Sequence, residues 1–369
     1  MQIPLSSPDI TDLEREAVLN VLKTPYLSLG PKLPEFEEKI ATYTGVKHVV
    51  AVSNGTCALH LMVKALGLKK GDEVITTPFS FAASSNCLLF EQVKPVFVDI
   101  DAKTLNINTS KIEAMINHKT KAILAVDVFG HPAEWDDLEK LARTHHLCLI
   151  EDSAEAIGAE YKGRKAGTFG NAAVFAFYPN KQMTTGEGGV ILTNEESVAK
   201  LCQSLRNQGR GEGGAWLQHE RLGYNYRLSD INCALGIAQL SRLDHMLKMR
   251  DRVAQMYNQR LSKLDNVKTP YVASHVKMSW FVYVIQLADR YTQADRDRIL
   301  SQLREKGIGC RNYFSPIHLQ PFYQEQFGFG SGNFPITEHV AARTIALPFY
   351  NTLSEKQIDQ VVEQLKLLL

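Results

Sequence analysis

Seven short apolar runs, separated by segments of helical character, constrain the fold of this chain more than any other feature of its sequence. They are residues 48–53 (HVVAVS), 73–78 (EVITTP), 95–100 (PVFVDI), 122–128 (AILAVDV), 147–152 (LCLIED), 172–177 (AAVFAF) and 189–194 (GVILTN). Their apolar residues follow one another instead of alternating, the pattern of a strand buried on both faces. Helix-like stretches are expected at about 56–67, 81–92, 110–117, 133–145 and 195–206. Strand and helix in alternation require right-handed crossovers and a parallel sheet covered on both sides. The expected fold is α/β, a large domain with a mostly parallel seven-stranded sheet between helices.

Near 235–262 the pattern changes to one long helical stretch that carries the chain out of the first domain. A smaller α+β unit comes next, with a strand at 280–287, a helix at 296–307 closed by a glycine, and an amphipathic terminal helix at 354–369. The expected division is 1–245 for the large domain and 246–369 for the small one, and 369 residues suffice for both.

Composition narrows the partners. Lys and Arg number 41 against 40 Asp and Glu, so no strong field points to nucleic acid or to an anionic membrane. No apolar run reaches the roughly 18 residues of a membrane helix, and the N-terminal stretch lacks a basic region followed by an apolar core. The six cysteines form no CxxC spacing, which argues against a zinc or iron–sulfur framework and for reduced thiols. A cytoplasmic protein without a metal is expected.

Four elements carry chemistry. Lys181 lies in FYPNKQMTTGEGGV, a constrained turn just after a core strand, and strand ends are where open α/β sheets place their sites. Taken singly, a lysine is most often a solvated surface residue. Asp152 ends the strand 147–152, where a poorly solvated carboxylate needs a cationic or hydrogen-bonding partner. Taken singly, it is more often a helix cap or loop acid. Gly55 and Thr56, in SNGTCALHL, open a helix directly after a strand, and free N–H groups with the helix dipole make an anion site there. Many such turns serve for capping only. Phe81, at the next strand end, offers a face to a planar ring or packs into the core. An amine, a carboxylate suited to a ring nitrogen, a phosphate cradle and an aromatic face together describe a site for pyridoxal 5'-phosphate.

These ordered motifs resemble the DegT/DnrJ/EryC1/StrS family of nucleotide-sugar aminotransferases, which have the aspartate-aminotransferase fold type I. The resemblance runs from LSLGP (27–31) through both glycine-bearing turns to LGYNYRLSDINCALGIAQLSRLD (222–244) and PIHLQPFY (316–323). It implies that Lys181 binds pyridoxal phosphate covalently and later moves the proton, with pyridoxamine 5'-phosphate as the intermediate form. It further implies that Asp152 faces the pyridine nitrogen, that Gly55 and Thr56 hold the phosphate, that Phe81 stacks on the ring, and that Ala154 lies under its other face. Asn225 matches an asparagine that reaches the phosphate of the neighbouring subunit, which implies a homodimer with shared sites. Glu155 stands where a His or Gln often faces the phenolic oxygen, and Ala176 stands where a serine often contacts the phosphate. Two anionic oxygens would repel, so Glu155 in that place must be protonated or bond through an intermediary. Tyr226, Arg227, His318 and the LSLGP loop are the candidates for substrate contact.

The implied reaction moves an amino group from an amino acid, L-glutamate in the family, to a keto group of a nucleotide-linked deoxy sugar. Related members act on keto-inositols, and others are sugar dehydratases; the latter carry histidine at the position of Lys181, so the lysine favours transamination.

Overall fold

The structure is a computed structural model that describes residues 2–211 and 218–369. Two helices lead the chain, α1 (Asp12–Leu22) and α2 (Lys32–Thr44). The large unit then runs β1 (His48–Val52), α3 (Gly55–Ala65), β2 (Glu73–Thr76), α4 (Ala83–Phe90), β3 (Lys94–Phe97), β4 (Thr120–Val126), α5 (Trp135–His145) and β5 (Cys148–Asp152). A short ribbon of β6 (Glu160–Tyr161) and β7 (Arg164–Lys165) precedes β8 (Ala172–Ala176), β9 (Gly189–Thr193), α6 (Glu196–Arg206) and α7 (Asp230–Ser241). The small unit holds α8 (Leu243–Leu261), β10 (Val267–Lys268), β12 (Tyr283–Leu287), α9 (Gln293–Glu305), α10 (Pro321–Phe327), α11 (Pro335–Ala341), β13 (Thr344–Leu347) and α12 (Glu355–Leu368), while β11 (Val276–Lys277) pairs back with β6 of the ribbon.

All seven expected strands enter one sheet, ordered β1-β9-β8-β5-β4-β2-β3. β9 alone runs against its neighbours β1 and β8, while the pairs from β8 through β3 are parallel. The carboxyl ends of β1, β5 and β8 and the start of β9 therefore share one edge. Register aligns them: Gly189 lies opposite both Val52 and Ala176, and Asp152 opposite Val126 and Val174. Both faces of the sheet are covered, one by the cluster around Val50, Leu61 and Leu124, the other by those around Phe36 and Trp135.

Three local expectations differ. Residues 110–117 form two short 3-10 turns, Thr109–Lys111 and Glu113–Met115, because Asn108 draws its side chain to the amide of Ser110 and so short a stretch cannot repay helix nucleation. The stretch 235–262 is two helices broken at Arg242, whose guanidinium is pulled to Asp9 at 3.0 Å and Glu14 at 2.9 Å. At the N-terminus, Ile3 bridges Ile308 and packs among Tyr257, Ile299 and Leu303 of the small unit, so this segment returns across the 245/246 division.

Candidate active site

The turn expected to hold the phosphate is built by the end of β1 and the start of α3. Asn54 caps the helix with its side chain on the amide of Cys57 at 2.8 Å, and its carbonyl takes the amide of Ala58. The first two N–H groups, those of Gly55 and Thr56, have no partner among the described residues and point out of the helix end. Glycine is required here: a Cβ on Gly55 would stand 2.8 Å from Cβ of Ala176, and one on Gly189 would meet the Asn54 carbonyl carbon at 2.7 Å. Two strands and a helix terminus thus close to backbone contact around a cradle for an anion.

Asp152 ends β5 and is 3% exposed. Its Oδ2 accepts the hydroxyl of Ser84 at 2.6 Å, and Ser84 in turn lies 2.8 Å from the Ser80 hydroxyl. Its Oδ1 accepts the Ala154 amide at 3.2 Å. Burial pushes the Asp152 carboxyl above the usual range, opposed by Ser84, by the Ala154 amide and by the charge of Lys181. Phe81, in the turn after β2, is 65% exposed and leaves a ring face uncovered at the same sheet edge. Ala154 packs on the core beside Asp152 without projecting.

Lys181 sits on the turn after β8, its amide bonded to the Tyr178 carbonyl at 2.9 Å. Nζ is 3.4 Å from Glu155 Oε1 and 4.0 Å above the ring of Phe281. Glu155 Oε2 accepts the Phe129 amide at 3.0 Å. Burial pushes the Glu155 carboxyl up, opposed mainly by Lys181. Directly behind, Glu151 and Asp127 share the Ser153 hydroxyl, and burial together with the nearby Asp127 charge pushes the Glu151 carboxyl well up.

Of the remaining expected residues, Asn225, Tyr226 and Arg227 adjoin the end of β1, and His318 lies apart. The Asn225 side chain is exposed, and its neighbours tie it to the phosphate edge of the same chain: the Tyr226 carbonyl accepts the Ser53 amide at 2.9 Å, and Arg227 bridges Val52. The Tyr226 hydroxyl is engaged by His60 at 3.2 Å, and Arg227 donates to Asn207 at 3.1 Å. His318 is fully buried, with Nε2 on Glu338 at 3.0 Å and Nδ1 unpartnered, and burial pushes its imidazole down. Its placement is that of a packing residue beneath the 78–86 segment, which it approaches through the bond from the Ile317 amide to the Pro78 carbonyl.

Sequence reasoning did not single out Ser84, Phe281 or Gln182. Ser80 and Ser84 stand four residues apart, a spacing visible beforehand; Phe281 arrives from the other unit and carries no local signal. A cavity of about 610 Å³ opens elsewhere, among Lys103, Phe129, Tyr271 and His339, and shares with the lysine site only the wall at Phe129. Among the described residues no cluster could hold a metal, and no helix is long and apolar enough to cross a membrane.

The donor set fits pyridoxal phosphate: unpaired amides at a helix N-terminus, an exposed aromatic face, a buried carboxylate and an amine lie along one sheet edge. The chain matches the DegT/DnrJ/EryC1/StrS aminotransferase family over residues 8–366. It is 38% identical over 366 residues to GDP-perosamine synthase of Caulobacter vibrioides, covering 99% of this chain and 97% of that one. Its fold is similar to that of PseC of Helicobacter pylori, an aminotransferase involved in the biosynthesis of pseudoaminic acid, with a TM-score of 0.96, 28% identity and coverage of 100% and 99%. It is similar also to Spr1654 of Streptococcus pneumoniae in its PMP form, with a TM-score of 0.93, 26% identity and coverage of 99% and 98%.

Proposed function

This chain belongs to the DegT/DnrJ/EryC1/StrS aminotransferase family, and on that premise we propose that it aminates a nucleotide-linked keto-deoxy sugar with L-glutamate as donor. It is a pyridoxal phosphate-dependent sugar aminotransferase. The observation that carries the finer reading is the alignment of Asp152, Lys181 and the α3 N-terminus on one edge of the sheet, with Glu155 against the lysine. A GDP-linked sugar is the nucleotide form favoured by the resemblance to GDP-perosamine synthase.

When bound, pyridoxal phosphate supplies a sink for the electron pair released as a carbon-bound proton leaves the amino acid. The chain supplies the rest. Asp152, oriented by Ser84, holds a proton at the ring nitrogen. Gly55 and Thr56 hold the phosphate through their amides, Phe81 covers one face of the ring, and Ala154 leaves room on the other. Lys181 takes the proton at Nζ and returns it to the neighbouring carbon. Glu155, which stands against Lys181, would face the phenolic oxygen either protonated or through an intermediary, and burial pushes its carboxyl up.

A homodimer with shared sites completes this reading. Leu27 and Leu29 are nearly half exposed on a segment that bridges Ser229, and Leu222, three residues before Asn225, is 80% exposed, so apolar side chains left uncovered in this part of the chain support a partner surface. Asn225 of each subunit then reaches the phosphate held by the other. The six free thiols suit a reducing compartment, which supports a cytoplasmic location.

The test is to load the protein with pyridoxamine phosphate and offer nucleotide-linked keto sugars, GDP-linked ones first, with mass spectrometry of the products. Replacement of the keto oxygen by an amine is expected. Conversion of keto-inositols alone would replace the sugar reading.

A further inference from the structure

Arg250 occupies the middle of α8 and is 3% exposed, yet its guanidinium faces only neutral acceptors. Nη1 donates to the carbonyls of Phe281 at 3.1 Å and Trp280 at 3.4 Å; Nη2 donates to those of Lys181 at 3.0 Å and Asn180 at 3.5 Å. Nε has no partner. The acidic group whose charge acts on it, Asp9, is itself paired with Arg242. Burial lowers the guanidinium to about 10, so it stays charged at neutral pH.

A buried cation held by neutral carbonyls, with its guanidinium carbon 5.5 Å from the centre of the Phe349 ring, is a costly way to gain stability, since an apolar side chain of the same volume avoids the desolvation. What the charge achieves is geometric. Its fork joins two segments distant in sequence, the lysine turn of the large unit and the segment leading into β12. The same two residues meet again through their side chains, with Lys181 Nζ 4.0 Å over the Phe281 ring. The result is a closed circuit: Arg250 to the Lys181 backbone, along the lysine side chain to the Phe281 ring, and back through the Phe281 backbone to Arg250. Gln182 adds a parallel tie, donating to the Glu155 carbonyl at 2.6 Å and to Ser279 at 3.0 Å.

We infer that Arg250 is a positioning residue for the reactive lysine: by holding the Lys181 and Phe281 backbones in one fork, it sets where Nζ stands over the Phe281 ring and hence where it meets the cofactor. This rests on the reading of Lys181 as the residue that binds pyridoxal phosphate. The fork is planar and spans both segments, which a lysine at the same place cannot do.

The full-length protein, freed of cofactor, tests this through the rate at which added pyridoxal phosphate attaches to Lys181. That rate is read from the visible absorbance and confirmed by borohydride reduction with peptide mapping. Arg250→Met is expected to slow attachment about tenfold or more and to lower kcat while leaving the KM for L-glutamate within about twofold. Val361→Ala, a cavity in the same unit, controls for lost stability: at equal loss of Tm it should attach cofactor at close to the normal rate. Arg250→Lys should recover part of the loss. Phe281→Leu keeps the backbone acceptor and should also slow attachment, which keeps the test open where Arg250→Met fails to fold. Attachment at the normal rate in Arg250→Met or in Phe281→Leu overturns the inference, as does a loss no larger than that of Val361→Ala. A borohydride label on another lysine of the unaltered protein would instead overturn the reading of Lys181, an outcome the Arg250 variants do not produce.

Discussion

Oε1 of Glu155 lies 3.4 Å from Nζ of Lys181, while its Oε2 accepts the Phe129 amide at 3.0 Å. One carboxylate thus ties the lysine to a backbone turn at the end of β4, and both side chains are nearly buried, so water screens the pair little. Glu155→Gln keeps an acceptor for Phe129 and removes the charge that faces Lys181. The expected outcome is a fall in kcat of about tenfold to a hundredfold with the fold intact. Because burial raises the Glu155 carboxyl, the pair is complete above that raised value and weakens as the pH falls through it. The absorbance of the bound cofactor should therefore change with mild acid in the unaltered protein and lose that change in Glu155→Gln.

In the proposed site, Lys181→Ala removes the amine and leaves the residues assigned to the phosphate, the ring face and the ring nitrogen. Turnover should fall to background, and borohydride should no longer fix the cofactor to the chain, while fluorescence still reports its non-covalent binding. Turnover near the normal level would refute the assignment.

Asp152 and Ser84 act as a unit. Asp152→Asn cannot favour a proton at the ring nitrogen, so single-turnover conversion of glutamate should slow far more than cofactor affinity falls. Ser84→Ala removes a 2.6 Å donor from a buried carboxylate, a bond worth about 1.5–3 kcal/mol, and should slow the same step by roughly tenfold or more. The double variant should be no slower than Asp152→Asn, because the hydroxyl works through the carboxylate. Additive losses would separate the two residues.

The shared-site reading predicts complementation. Asn225→Asp places a negative charge against the phosphate, a larger loss than the about 0.5–1.5 kcal/mol of a neutral hydrogen bond. A mixed dimer of Asn225→Asp and Lys181→Ala chains then contains one intact site, so activity after subunit exchange should rise well above either parent. Differently tagged chains verify that mixed dimers formed. No rise would mean that Asn225 acts within its own subunit, where the Ser53 to Tyr226 bond already places it beside β1.

Glu14 ties α1 to α7. Burial acts to raise its carboxyl, but bonds from Thr11, Gln239 and Arg242 win and bring it to about 2. A carboxylate lowered in the folded state contributes stability above its unfolded value, near 4.5, and loses it as the pH falls toward 2. The contribution is at most about 3 kcal/mol at neutral pH. Glu14→Gln should lower Tm at pH 7 and flatten the acid limb of the stability curve, measured by thermal melts from pH 7 to pH 3. Parallel acid limbs would assign the pH dependence to other groups.

Much of the site was legible because its residues are local features of strand ends. Asp152, Lys181, Gly55 and Phe81 each lie at or just beyond the end of an apolar run, and a strand buried on both faces delivers its terminal residues to the sheet edge. Ser84 was within reach, since it follows Ser80 by four residues, at the start of the helix after Phe81. His318 was not: its histidine in PIHLQPFY reads equally well as a contact residue, and only the packing of Phe334 and the pairing with Glu338 place it in the interior.

The α/β class, the seven sheet strands and the residue types at their ends are properties of the amino-acid sequence alone, because buried strands and strand-end turns are written in consecutive residues. Which of those ends meet was settled by tertiary packing. The order of the sheet sets β8 beside β5 and, across β9, close to β1 from the far start of the unit, and no local pattern encodes that adjacency. Packing settled the surroundings of Lys181 as well: Glu155 from the loop after β5, Phe281 from the small unit and Arg250 from α8 converge on one turn. Their contacts depend on how two units pack, a property of the whole chain that none of the three segments carries alone.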